Sequence, residues 1–208
     1  MMDRPSAIIL AGGRSSRMGL PKAVLPFGAV SILEHLIGTL RSVFDEIIVV
    51  AAPLTDEPFS IDRVLGNHKA VIVERDDEVF AGPVGALRRG LARAGSEIAF
   101  ACSCDLPLLR AELAATLCTL VAKDDAAIPR VGGVLQPLCA AFRREPALTA
   151  LTAMEGAGER RLRMVADRLK VRAIDEVTLR ASDPDLCSML NVNTAEDYAR
   201  ALRLMRAT

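Results

Sequence analysis

The sequence predicts an α/β protein built on a doubly wound, mostly parallel sheet with helices on both faces. Three observations carry this. Short, nearly all-apolar runs rich in β-branched residues recur at Ala7 to Leu10, Glu46 to Ala51, Ala70 to Val73 and Ile98 to Ser103. Such runs suit strands covered on both faces, whereas strands with one solvated face alternate apolar and polar residues. Segments with apolar residues at helical spacing lie between them, and strand alternating with helix is the mark of a parallel sheet. No internal repeat or low-complexity segment interrupts the pattern, and 208 residues suffice for a substantial core. The chain therefore reads as one domain over residues 1–208.

Composition excludes several function classes. With 51% hydrophobic and 25% charged residues the chain is globular, and its formal net charge of zero lacks the basic excess of a general nucleic-acid binder. Aromatic content of 3% with no Trp leaves few platforms on which bases could stack. No apolar run approaches the roughly 18 residues of a membrane span. Asp3 and Arg4 precede an apolar stretch that is itself the first strand, so no signal peptide is read and a cytoplasmic location is expected. Five cysteines fit reduced thiols; Cys102 and Cys104 have no matching second pair, and with only His35 and His68 available a zinc site is not expected.

The first strand runs into the stretch around which the chain is organised, SAIILAGGRSSRMGLPK from Ser6 to Lys22. At Gly12 and Gly13 the backbone can turn sharply and bring its N–H groups close to a bulky anion. Arg14, Arg17 and Lys22 follow, in a window that also holds Ser15, Ser16 and Gly19: the chemistry of a polyphosphate cradle. The dinucleotide fingerprint needs glycines where Arg14 and Arg17 stand, and the P-loop needs Ser or Thr where Ala23 follows Lys22, so neither applies. Pro21 disfavours helix at Leu20, which predicts that the loop wraps its ligand as extended chain.

Leu10, Ala11, Gly12, Gly13, Ser15, Arg17, Met18, Gly19 and Lys22 fill every fixed position of L-A-G-G-x-S-x-R-M-G-x-x-K. The segment resembles the signature of nucleotidyltransferases that activate small phosphorylated acceptors, and most closely that of the molybdenum cofactor guanylyltransferases. The resemblance implies a Rossmann-like nucleotidyltransferase fold, with a nucleotide-binding part over about 1–122 and an acceptor-binding part over about 123–208. It implies transfer of GMP from GTP to the phosphate of a molybdopterin-type acceptor with Mg²⁺ as cofactor, the alternatives being CMP transfer to the same pterin, nucleotidyl transfer to another small phosphorylated acceptor, or a non-catalytic nucleotide or cofactor carrier. It also leaves room for transient contact with other cofactor-biosynthesis proteins. Arg17, Lys22 and Asp105 are the expected catalytic residues. Leu10, Ala11, Gly12, Gly13, Arg14, Ser15, Lys22, Asp76 and Gly82 are expected to bind the nucleotide.

The remaining elements follow in order. Ser31 with Glu34 forms a capping box that starts a helix with apolar residues Leu33, Leu36, Ile37, Leu40 and Phe44. His35 on that helix reads as a surface or boundary residue. After the third strand come Asp76 and Asp77, either of which could match the aspartate with which the family reads the nucleoside. Gly82-Pro83-Val84-Gly85 then opens a helix whose buried stripe is Val84, Leu87, Leu91 and Ala94. Ala86 replaces a second family glycine.

The strand Ile98 to Ser103 delivers Cys104-Asp105-Leu106-Pro107 at its carboxyl end, the edge where open α/β sheets bind ligands. A carboxylate there can hold Mg²⁺ against phosphate oxygens, and C-D-x-P resembles the family's metal motif. The alternative makes Asp105 the N-cap of a helix from Arg110 to Val121. Leu135 to Phe142 reads as a strand interrupted by Pro137, hence near an edge or bulged, and resembles a family segment on the acceptor side. Gly156 to Arg163 is either a loop that clasps the acceptor's phosphate or a loop leading into an amphipathic helix through Leu162, Val165 and Leu169. Met189 to Asn193 reads as a last short strand. Asn191 or Asn193 could add a metal or phosphate contact or serve the turn, and Thr194 with Asp197 caps the terminal helix.

Overall fold

The structure is a computed structural model describing residues 4–12, 21–53, 61–66, 71–75 and 82–207, with the side chains at 62, 63 and 207 left aside. Its centre is β1 (Ser6–Leu10), every residue of which is buried. β1 lies between β4 (Glu46–Ala51) and β6 (Ile98–Ser103), parallel to both, with Leu10 level with Val50 on one side and Ser103 on the other. Beyond β4 comes β5 (Val71–Arg75), also parallel. Beyond β6 the sheet continues through β9 (Cys139–Arg143), β7 (Ala126–Val131) and β10 (Val171–Ile174), and β8 (Val134–Leu135) pairs with β7. β9 is antiparallel to both of its neighbours, while β10 is parallel to β7. The sheet is thus mostly parallel.

Successive side chains of a strand point to opposite faces, so an all-apolar strand needs a core on each side. Ala7 and Ile9 pack with Leu33, Leu36, Ile37 and Leu40 of α1 (Ile32–Leu40) and with Leu113 and Leu117 of α4 (Ala111–Leu120). Ile8 and Leu10 pack with Val84, Leu87 and Leu91 of α3 (Gly82–Arg93) and with Leu151 and Met154 of α5 (Arg144–Gly156). Helices on both faces follow directly.

Gly90 sets how closely α3 approaches the sheet. A Cβ at this position would lie 2.4 Å from Cγ2 of Ile8 and 3.3 Å from Cγ2 of Val50. α1 starts as its sequence predicts: the Glu34 N–H donates to Ser31 Oγ at 3.2 Å and the Ser31 N–H to Glu34 Oε2 at 2.8 Å, the two halves of a capping box. The remaining short elements are β2 (Pro26–Phe27) and β3 (Val30–Ser31), which form a hairpin, α2 (Ile61–Leu65) and α6 (Glu176–Arg180). The terminal helix α7 (Ala195–Ala207) reaches the hairpin: the Tyr198 hydroxyl donates to the Pro26 carbonyl, and Met205 lies against Gly28.

Three expectations are corrected. The strand read across Leu135 to Phe142 is interrupted at Pro137 as expected, but only its first part is at an edge: it divides into β8, which among the described residues pairs with β7 alone, and β9, which lies inside the sheet. Pro137 falls in the turn closed by Cys139 N–H to Gln136 O at 3.0 Å, before β9 begins, so its missing donor costs the ladder nothing. Met189 to Asn193 is not a strand. Asp183 captures the N–H groups of Cys187 and Ser188, which closes a short 3-10 turn over Cys187–Met189. The helix that one of the two readings of Gly156 to Arg163 places through Leu162, Val165 and Leu169 is a 3-10 turn over Leu162–Asp167 that buries Leu162 and Val165 and ends before Leu169.

Candidate functional site

Two strand ends define the site. The Ala11 N–H donates to Val50 O at 2.8 Å and the Cys104 N–H to Leu10 O at 3.0 Å, so the chain beyond β6 is tied to the end of β1. This puts Asp105 beside Gly12 at the carboxyl edge of the sheet, where open α/β folds bind ligands. Leu10 and Ala11 turn their side chains into the core and Gly12 is exposed, so what Leu10 and Ala11 can offer a ligand is backbone.

Lys22 opens a 3-10 turn over Lys22–Val24, with the Val24 N–H donating to Pro21 O at 3.1 Å. Its Nζ lies 3.5 Å from Oδ2 of Asp105 and donates to Oδ1 of Asn193 at 2.7 Å. Asn193 is carried there by the start of α7. Its own N–H and that of Thr194 donate to Asp197 Oδ2, and Asp197 N–H donates back to Thr194 Oγ1 at 3.1 Å. The expected Thr194–Asp197 cap is therefore present, and Asn193 joins the end of the chain to the segment after the glycine loop.

The second carboxylate oxygen, Asp105 Oδ1, is buried and has no hydrogen-bond partner among the described residues. A buried carboxylate oxygen without a donor is costly unless something positive meets it. Hard oxygen donors are what Mg²⁺ takes, typically one or two carboxylates completed by substrate oxygens and water. Among the described residues no three His, Cys, Asp or Glu side chains gather to hold a metal, so a cation at Asp105 would depend on such completion. The fit is to Mg²⁺ rather than to a closed protein cage.

Asp105 does not cap α4. The N-cap is Arg110, whose N–H donates to Ser188 Oγ at 3.0 Å. The turn from Cys104 to Arg110 is instead held from outside. Asp105 O accepts from Val192 N–H at 2.8 Å, and Pro107 O accepts from the His35 imidazole. His35 is half-buried and meets Phe27 edge-on at 5.0 Å; burial lowers its pKa, partly opposed by the Pro107 contact. Read from sequence as a surface or boundary residue, it supports the turn that carries Asp105. Cys104 is a neutral thiol there: burial first, then the charge of Asp105, push its pKa up to about 12.

Gly82 stands at the N-terminus of α3 with φ +78°, and a Cβ there would come within 3.6 Å of Arg160 Cβ. The arginine-rich stretch from Gly156 to Arg163 therefore seats against Gly82. Arg161 pairs within this stretch, its guanidinium donating to both oxygens of Glu159 at 2.9 and 2.6 Å. Those bonds hold Glu159 at a pKa of about 2. Gly13, Arg14, Ser15, Arg17, Asp76 and Asp77 lie outside the described residues. Sequence reasoning missed Asp183 and Ser188; the Asp183-Pro184 pair, a turn signal, was the one hint of the former.

Residues 7–190 match the model of the MobA-like NTP transferase domain. The chain is 32% identical over 208 residues to the molybdenum cofactor guanylyltransferase of Desulfosudis oleivorans, covering 99% of this chain and 98% of that one. It is 33% identical to a probable molybdenum cofactor guanylyltransferase of Mycobacterium avium, over 97% of this chain and 96% of its relative. Among solved structures, a molybdopterin-guanine dinucleotide biosynthesis protein A from Archaeoglobus fulgidus superposes with a TM-score of 0.81 at 20% identity, covering 98% of this chain and all of the other. A 4-diphosphocytidyl-2C-methyl-D-erythritol synthase from Anaerococcus prevotii gives 0.72 at 18% identity, over 98% of this chain and 96% of that one, a likeness of fold alone. Among the described residues no helix is long and apolar enough to cross a membrane.

Proposed function

This chain belongs to the MobA-like NTP transferase family and is a nucleotidyltransferase, and on that premise we propose that it transfers GMP from GTP to the terminal phosphate of a molybdenum-bearing molybdopterin, releasing pyrophosphate. The names of the whole-length relatives support the substrates. The observation that carries the assignment to this site is the buried Oδ1 of Asp105, without a hydrogen-bond partner among the described residues, beside Lys22 at the carboxyl edge of the sheet.

The acceptor phosphate attacks the α-phosphorus of GTP; the new P–O bond forms as the bond to the β-phosphate oxygen breaks, and the electron pair leaves on pyrophosphate. The attacking phosphate is already an anion, so no general base is needed, and the protein's contribution is positioning and charge neutralisation. Asp105 would hold Mg²⁺ together with substrate oxygens, and the ion would supply neutralisation of phosphate charge. Lys22 adds a fixed positive charge on the same side. Arg14 and Arg17 are assigned to the triphosphate by the signature they share with the family. By the same likeness Gly12, Gly13 and Ser15, with the backbone of Leu10 and Ala11, are assigned to the nucleotide, as are Asp76 and Gly82. The stretch around Arg161 serves the acceptor.

The test is direct: incubate the protein with Mg²⁺, a molybdopterin-type acceptor and each labelled nucleoside triphosphate in turn. GTP is expected to give the dinucleotide and pyrophosphate. Faster product formation from CTP would contradict the guanylyl assignment.

A further inference from the structure

Asp183 and Ser188 are fully buried polar residues to which the chemistry above gives no role. Both carboxylate oxygens of Asp183 are taken by backbone donors, Oδ1 by Cys187 N–H at 3.2 Å and Oδ2 by Ser188 N–H at 2.8 Å. The turn so formed is closed further by Met189 N–H to Leu186 O and Leu190 N–H to Cys187 O, both at 3.0 Å, and it starts from Leu186 in the left-handed region at φ +53°. Ser188 turns its hydroxyl oxygen to the Arg110 N–H, and a few residues later Val192 donates its N–H to Asp105 O. One hydrogen-bonded stretch thus holds the turn that carries Asp105 at both ends, at Asp105 itself and at the residue that opens α4.

We propose that Asp183 and Ser188 are positioning residues for Asp105: the buried carboxylate fixes the 186–190 turn, and that turn holds the Asp105–Arg110 segment so that the Asp105 carboxylate stands in one place for a divalent cation. The proposal rests on the reading of Asp105 as the metal carboxylate. Its physical basis is that charge-assisted hydrogen bonds to a buried carboxylate are short and strong, and that a metal site tightens or loosens with the order of the groups behind its ligands. A buried carboxylate is a costly way to close a surface turn. Here two backbone N–H donors offset that cost, and the bonds fix a segment that is itself bonded to both ends of the turn carrying Asp105.

The test uses the full chain and an α,β-methylene analogue of GTP, which cannot be cleaved at the reacting bond. The dissociation constant for Mg²⁺ is measured from the metal-dependent shift in melting temperature, and amide hydrogen exchange is followed at Arg110. Ser188→Ala removes a single oxygen. It is expected to keep the far-UV spectrum and the binding of the analogue in EDTA, to speed exchange at Arg110, and to raise the Mg²⁺ dissociation constant about three- to tenfold, the size of one lost hydrogen bond. Asp183→Asn is expected to act in the same direction, and the two together to give less than the product of their separate effects, as coupled sites do. Should Asp183→Asn fail to fold, Ser188→Ala decides. Faster exchange at Arg110 with an unchanged Mg²⁺ dissociation constant would make the pair purely structural and overturn the proposal. Asp105→Asn, measured alongside, separates the two claims: if it weakens Mg²⁺ while Ser188→Ala does not, the metal site stands and only the positioning role falls.

Discussion

The Lys22 ammonium lies 3.5 Å from one oxygen of Asp105 and donates to Asn193 at 2.7 Å. That geometry shares the lysine between a neutral acceptor and the carboxylate. Asp105 keeps its other oxygen buried and unpartnered among the described residues. A lysine locked onto Asp105 would compete with a metal for it, whereas one drawn aside by Asn193 adds positive charge without closing the site.

Lys22→Ala is therefore expected to lower turnover about a hundredfold or more, the usual loss when a charge that meets developing phosphate charge is removed. Because the turn that carries Lys22 is closed by backbone hydrogen bonds, from Val24 N–H to Pro21 O and from Leu25 N–H to Lys22 O, the melting temperature should change little. Steady-state kinetics with GTP and acceptor check this; near-normal turnover would place Lys22 outside the chemistry.

Gly90→Ala is a test of packing. Alanine is the better helix former by about 1 kcal/mol. The new Cβ, however, would fall 2.4 Å from Cγ2 of Ile8, a short β-branched side chain on the central strand that has nowhere to move. Overpacking of this kind costs about 1–3 kcal/mol and should win. In a chain of this size the net loss lowers the melting temperature by a few degrees. A melting temperature equal to or above that of the wild type would show that α3 can back away from β1.

Much of this was legible in the sequence. The all-apolar strands and the Ser31–Glu34 box announce themselves because each rests on local chemistry: burial on both faces in one case, two reciprocal hydrogen bonds in the other. The place of Asp105 at the carboxyl edge of the sheet was legible because it comes two residues after a buried strand. The errors lie where distant partners decide. Nothing local says that β9 inserts antiparallel between β6 and β7, or that Met189 to Asn193 finds Asp105 rather than a neighbouring strand. The link from Lys22 to Asn193 joins opposite ends of the chain, and no spacing rule reaches that far.

Arg161→Ala is expected to raise the KM for the acceptor with little change in that for GTP. An unchanged acceptor KM would leave the Gly156 to Arg163 stretch a structural loop. The same variant has a titration signature. Glu159 is held at about 2, chiefly by its hydrogen bonds from Arg161, so its folded-state pKa is depressed. Such a group contributes stability above its ordinary value of 4.5, and the contribution is lost as pH falls from there toward 2. Removing Arg161 should return the Glu159 carboxyl toward the usual glutamate range, as followed by NMR; a carboxyl still titrating near 2 would contradict the pairing.

The thiols offer a further check. Cys102, Cys104, Cys118 and Cys139 are buried and Cys187 is half-exposed. Burial raises the pKa of Cys104 and Cys118 to about 12, leaving almost no thiolate at neutral pH. A disulfide-exchange reagent should titrate Cys187 first in the native protein and all five thiols after denaturation. Rapid labelling of Cys104 would mean that the turn carrying Asp105 opens readily.

The central claim is that Asp105 holds the magnesium that the transfer step needs, and Asp105→Asn tests it most directly. The substitution keeps size and hydrogen-bonding capacity while removing the charge, and because Asp105 caps no helix its loss should leave the fold intact. Single-turnover transfer is measured at saturating GTP across a Mg²⁺ titration. The account predicts transfer slowed by orders of magnitude, with the metal dependence moved to higher concentration; a variant with the wild-type rate and the wild-type metal dependence would contradict it.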